Sequence, residues 1–160
     1  MQPGKIWVAD HDGVYVIKME GDVRLTLCVS FDGFIDEMFS RDDFCSIIFD
    51  LTNAELVDST TLGLMAKISI LADSRKQLRP AVLSTSPSMN RLLDSMGFGE
   101  IFDIINEAPT KIDAAVCLLE DTEDECATRQ KVLEAHRVLM ELNEENRETF
   151  QDLVKSLENC

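Results

Sequence analysis

The stretch Ser46-Ile47-Ile48-Phe49-Asp50-Leu51 is a short apolar run of the kind that is covered on both faces of a sheet, and a helical pattern follows it after a brief loop. Leu64, Ile68, Leu71 and Leu78 hold one stripe of that helix, and Leu62 and Met65 widen it, so the helix is expected to be strongly buried. Pro80 ends it. Ala81-Val82-Leu83 then makes another short strand, and Ser86-Pro87 opens a helix that stops at Met96 with Gly97 available for a left-handed cap. Ile101 to Ile105 reads as a fifth strand, and Pro109 opens a helix running to about Leu119.

Ahead of this alternation, Lys5 to Ala9 and Val14 to Met19 are β-rich runs separated by Asp10-His11-Asp12-Gly13, which has strong turn chemistry and implies a hairpin. Glu20-Gly21-Asp22 closes the second strand. Leu27, Phe31, Phe34, Ile35 and Met38 then recur at helical steps. Strand-helix-strand crossovers after an initial hairpin imply an α/β fold, a mixed β-sheet with helices packed on it. The expected division is a domain over residues 1–119 and an acidic helical extension over 120–160.

The extension contains no Pro and no Gly and carries 12 acidic against 5 basic residues. Val132, Ala135, Leu139, Leu142, Phe150, Leu153 and Leu157 fall at helical spacing, so a long C-terminal amphipathic helix is expected. An isolated helix is marginal in water, so its apolar face needs a cover. Docking on the chain's own domain, a homodimer through the helix, and a partner helix all supply one. Asn146 interrupts the stripe, either as a register-setting position or at an exposed edge.

Charge narrows the function. The chain of 160 residues has a formal charge of −15, which leaves no basic stripe for nucleic acid and no attraction to an anionic membrane surface. The longest apolar run, Ala114 to Leu119, is far below the roughly 20 residues that cross a bilayer. No secretory signal is recognisable at Met1 to Asp10, so a cytoplasmic location is expected. Five cysteines (Cys28, Cys45, Cys117, Cys126, Cys160) form no close pairs and are expected to be reduced and mostly buried. With only His11 and His136 besides, no metal-ligand spacing can be assembled, and no cofactor motif is present.

The informative segment is Ile47 to Gly63. Asp58-Ser59-Thr60-Thr61 opens the buried helix, with Asp58 as its cap and Val57 and Leu62 as a hydrophobic staple. Capping alone accounts for these residue types. A second role is compatible with it: a hydroxyl in the first turn is accessible to modification, and a phosphate there meets the positive end of the helix dipole. A phosphate beside Asp58 on an acidic surface would penalise any protein docked on the bare hydroxyl.

These residues resemble a known family. Ile48-Phe49-Asp50-Leu51, Val57-Asp58-Ser59 and Leu62-Gly63 are similar to the signature of STAS domains, the fold of bacterial anti-sigma factor antagonists, in which the Ser of an Asp-Ser pair is phosphorylated. Gly21 to Leu25, Ala81 to Ser84, and Ser88 through Leu92, Leu93 and Met96-Gly97-Phe98 to Ile101-Phe102 extend the resemblance over roughly residues 5–119. One departure is Thr61 where many antagonists have Gly, with the Gly of this chain at position 63, a change that bears on kinase recognition. Thr60 and Thr61 offer hydroxyls in the same turn; Ser59 is the expected phosphoacceptor.

The resemblance implies a partner-switching regulator and not an enzyme. It would bind an anti-sigma factor or related serine kinase when unphosphorylated, lose it on phosphorylation of Ser59, and be restored by a serine phosphatase, with ATP and metal belonging to those partners. The docking surface implied is Asn53, Glu55, Asp58, Thr60, Thr61 and Gly63, with Ser86, Ser88 and Asn90 at the start of the next helix. The alternative is a STAS scaffold or ligand-sensing module, never phosphorylated, that oligomerises through its C-terminal helix. Catalysis by Ser59 as a nucleophile is disfavoured, because neither histidine belongs to a recognisable arrangement around it.

Overall fold

The computed structural model describes residues 2–41, 43–107, 116–120 and 124–159, with residues 116 and 117 described by their backbone alone. Strand β1 (Lys5–His11) and strand β2 (Val14–Val23) form the expected hairpin. Its two-residue turn has Asp12 at φ 51° and Gly13 at φ 87°, the left-handed pair that matches strand twist. Helix α1 (Cys28–Ser40), reached through a 3-10 turn at Leu25–Leu27, crosses to β3 (Ser46–Val57). Helix α2 (Ser59–Lys76), strand β4 (Ala81–Leu83), helix α3 (Pro87–Ser95), a 3-10 turn at Phe98–Glu100 and strand β5 (Asp103–Ile105) follow. Strand β6 (Val116–Cys117) completes a six-stranded sheet in the order β5-β4-β3-β2-β1-β6.

From β2 to β5 every step is parallel and moves one strand in the same direction across the sheet. Right-handed crossovers that all step the same way place α1, α2 and α3 on one face. Strand alternation supplies that face with Tyr15, Ile17 and Met19 from β2 and Ile47, Phe49 and Leu51 from β3, all buried. Phe31, Ile35, Leu64, Ile68 and Phe98 complete the core from the helical side.

Several elements differ from expectation. Strand β2 does not stop at Glu20: Gly21, at φ 68°, carries it through a register irregularity to Val23. Strand β3 likewise has no loop after Leu51 but runs on to Val57, because its outer half pairs with that extension of β2. Strand β5 is shorter than the expected Ile101 to Ile105, since Arg79 and the 3-10 turn take up Ile101 and Phe102. Most of the helix expected from Pro109 to about Leu119 lies outside the described residues. Its end is a strand, not a helix: Val116 and Cys117 pair with Val8 and Trp7 and cover the open edge of β1. Of the described cysteines only Cys28 is buried; Cys45 and Cys126 are exposed.

The extension is helical, but as two helices. Helix α4 (Glu125–Leu142) ends at Asn143, whose extended backbone (φ −163°, ψ 168°) breaks the run. The Asn143 side chain then caps helix α5 (Glu144–Glu158) by accepting from the Asn146 N–H at 2.8 Å. The pair folds back as a hairpin and docks through α4 on α2, so of the three covers its apolar stripe admits, the chain uses its own domain. Ala135, Leu139 and Phe150 join the main core, whereas Leu153 stays exposed and Leu157 is only half-buried.

Candidate functional site

Helix α2 starts at the carboxyl edge of the parallel strands, where loops of such sheets converge on one surface. Asp58 leaves β3 in extended conformation and its Oδ1 accepts from the Thr61 N–H at 2.9 Å. Its own N–H donates to Val23 O at 3.0 Å, which fixes the turn to the end of β2. Val57 and Leu62 are both buried, as a staple requires. Ser59 therefore occupies the first helical position, half-buried.

The Ser59 hydroxyl has a partner from the far end of the chain. Its Oγ lies 2.7 Å from His136 Nε2 on α4. His136 Nδ1 lies 2.7 Å from Val132 O, and a carbonyl only accepts, so Nδ1 carries a proton. In the neutral ring Nε2 is then the acceptor, and the serine O–H donates to it. Phe150 of α5 stands edge-on to the imidazole with ring centroids 5.1 Å apart, so both helices of the hairpin hold the ring in place. Sequence reasoning missed this histidine, since nothing near position 136 marks it as facing position 59.

Two further features seat α4 on α2. At Gly63 the backbone of Ala135 approaches so closely that a Cβ would overlap it. Next to it lies an ion cluster. Asp32 on α1, 1% exposed, accepts from Lys67 on α2 at 2.8 Å and from Lys131 on α4 at 2.6 Å. Glu134 on α4 pairs with Lys67 at 2.5 Å and with Lys131 at 3.7 Å. Burial works to raise the pKa of Asp32, but hydrogen bonds from Lys131 and Lys67 and their charges outweigh it, and its carboxyl is held below the ordinary value. Hydrogen bonding to Asp32 raises Lys131 above the usual lysine range. Lys67 is raised too: burial opposes this, but its bonds to Asp32 and Glu134 prevail. Burial pushes the Cys28 thiol up to about 11, helped by Asp58 and Asp32, so it stays protonated and is no nucleophile near neutrality.

The expected docking residues fall into four groups. Asn53 and Glu55 are exposed on the outer end of β3, beside Leu56, an apolar side chain 48% exposed. Thr60 and Thr61, each 2% exposed, and Gly63 are buried, with α4 packed over Gly63. Asp58, half-buried, is occupied by the cap. At the head of α3, Ser86 caps the helix by accepting from the Met89 N–H and bonds Ser88, which is exposed together with Asn90.

A cleft of about 630 Å³ opens beside Ser59 and His136, lined also by Leu25, Arg129, Val132 and Leu153. Thr128, another lining residue, has a hydroxyl oxygen that is buried without a partner. Among the described residues no group of His, Cys, Asp and Glu is placed to hold a metal ion, and no helix is long and apolar enough to cross a membrane.

Comparison with known proteins agrees with this architecture. The family model of the STAS domain matches residues 5–113. The chain is similar to the crystal structure of an anti-sigma factor antagonist from Mycobacterium paratuberculosis, with a TM-score of 0.54 and 20% identity, over 66% of this chain and 87% of that one. At that identity the likeness is one of fold. No curated protein matches the sequence significantly.

Proposed function

The chain belongs to the STAS domain family, and from that premise we propose that it is an anti-sigma factor antagonist working by partner switching, with Ser59 as the phosphorylated residue. The domain spans residues 1–119 and the helical extension 120–160. Unphosphorylated, the protein binds an anti-sigma factor or serine kinase through the surface around the start of α2. Phosphorylation releases that partner, and a serine phosphatase resets the switch.

The observation that carries this reading is the position of Ser59, first in α2 behind an Asp58 cap at the carboxyl edge of the sheet. A phosphate there sits at the positive end of the helix, so the fold accommodates its charge. It adds nearly two negative charges beside Asp58, in a cleft that Glu125 also lines, which disfavours docking of an acidic or apolar partner surface. Asn53, Glu55 and Leu56 extend the surface along β3. The antagonist has no enzymatic step of its own: the kinase supplies ATP and its metal, and the phosphatase its own.

The test is binding of the full chain carrying Ser59→Ala or Ser59→Asp to the anti-sigma factor or kinase recovered from the source cells. The alanine form should bind at least as tightly as the unmodified protein does, and the aspartate form at least tenfold more weakly. Equal binding by both would remove Ser59 as the switch.

A further inference from the structure

The surface that a partner would use at the start of α2 is already occupied. Helix α4 lies along it with Val132, Ala135, His136 and Leu139, and its contacts are chemically specific. A small residue meets Gly63, a carboxylate from Glu134 reaches Lys67, and an imidazole nitrogen is hydrogen-bonded to the Ser59 hydroxyl. Away from α2 the hairpin has a second attachment. Asn146 of α5, only 2% exposed, donates through Nδ2 to Met96 O at 3.0 Å, at the carboxyl end of α3. Asn146 thus interrupts the apolar stripe neither as a register position nor at an exposed edge, but as a buried polar anchor.

We propose that the α4–α5 hairpin is a built-in competitor for the face of α2 that carries Ser59. While it is docked, the hydroxyl is bonded to His136 and Gly63 is covered, so kinase and partner are both excluded. The partner that displaces it presents an amphipathic helix of the same chemistry: a small residue against Gly63 and a carboxylate within reach of Lys67. A phosphate on Ser59 opposes the docked hairpin as well, because it removes the O–H donated across the 2.7 Å contact and has to turn its bulk into the neighbouring cleft. Occupancy of α2 by the hairpin and modification of Ser59 are therefore coupled, each opposing the other to the same degree. The identity of Ser59 as the residue modified in the cell rests on the function proposed above; the occlusion does not.

The experiment compares amide hydrogen exchange in three full-length proteins: unmodified, with phosphoserine placed at position 59 by genetic-code expansion, and with phosphoserine at position 40, exposed at the end of α1, as a control. Exchange across α4 and α5 should rise at least tenfold with phosphoserine at 59 and stay unchanged with it at 40, while β2 and β3 remain protected. Unchanged exchange in α4 and α5 would overturn the proposal. If β2 and β3 also lose protection, Ser59→Glu takes the place of phosphoserine with the same two outcomes. A second measurement uses Asn146→Ala, which loosens the hairpin away from Ser59. Its phosphorylated fraction in the source cells should exceed that of the unmodified chain several-fold, and an equal fraction contradicts the occlusion. Absence of phosphate in both would sink the switch reading, and the exchange result would still decide the hairpin's role.

Discussion

Ser59 Oγ and His136 Nε2, 77 positions apart in the chain, lie 2.7 Å from each other, and this bond joins the first turn of α2 to the middle of α4. Replacing His136 by Ala leaves the serine hydroxyl without its acceptor and opens a space beside Phe150. The net cost of one such hydrogen bond is about 1 kcal/mol, and the lost packing adds to it, for a total of about 1–3 kcal/mol. The midpoint of urea unfolding should fall accordingly, and Ser59 should become more exposed. A midpoint unchanged from the parent protein would mean that the bond contributes nothing to docking.

Gly63→Ala tests the helix crossing with opposing signs. In an uncovered helix the change is stabilising by about 1 kcal/mol, because Ala is the better helix former. Here the added Cβ overlaps the Ala135 backbone, which has no side-chain freedom with which to yield. The expected outcome is loss of exchange protection in α4 and α5 with β2 and β3 unaffected. A simple gain in stability, with α4 still protected, would show that the crossing is looser than its geometry.

The ion cluster makes docking pH-dependent at both extremes. Asp32 is held below its ordinary 3.8, so its stabilisation is complete above that value and is lost as pH falls through the lower folded value. Lys67 and Lys131 are raised above 10.5, so their contribution is complete below that value and is lost as pH rises through the higher folded ones. Asp32→Asn removes the carboxylate but leaves two lysines that reach solvent, for a cost of at most about 3 kcal/mol near neutrality. Urea midpoints measured against pH should show the variant and parent converging below pH 3.8. A constant gap down to the acid transition would contradict a charged Asp32 in the fold.

Much of this arrangement was legible in the residues, for local reasons. Asp58, Ser86-Pro87 and Gly97 are start and stop signals that act within a turn, and each falls where the structure uses it. The outer half of β3 was not legible, because Thr52, Asn53 and Glu55 are polar on a strand end whose pairing depends on a bulge in β2. The break in the tail had a signal that an unbroken apolar spacing masked: Asn143 followed by Glu144 and Glu145 is a helix start, with a capping residue and acidic first turn. Asn146 reads as a flaw in a stripe until Met96 O is known to lie against it. The same holds for His136, whose partner is set by how α4 crosses α2 and by no feature of its own neighbourhood. Local chemistry shows where the Asp58–Ser59 turn lies, and only tertiary packing shows what covers it.

The most direct test of the central claim is phosphosite mapping by mass spectrometry on the full chain isolated from its own cells, alongside Ser59→Ala. A single phosphate located on Ser59 and absent from the alanine variant is the expected result. A Ser59 that carries no phosphate under any growth condition, or a phosphate that maps to Thr60 or Thr61 instead, would contradict it.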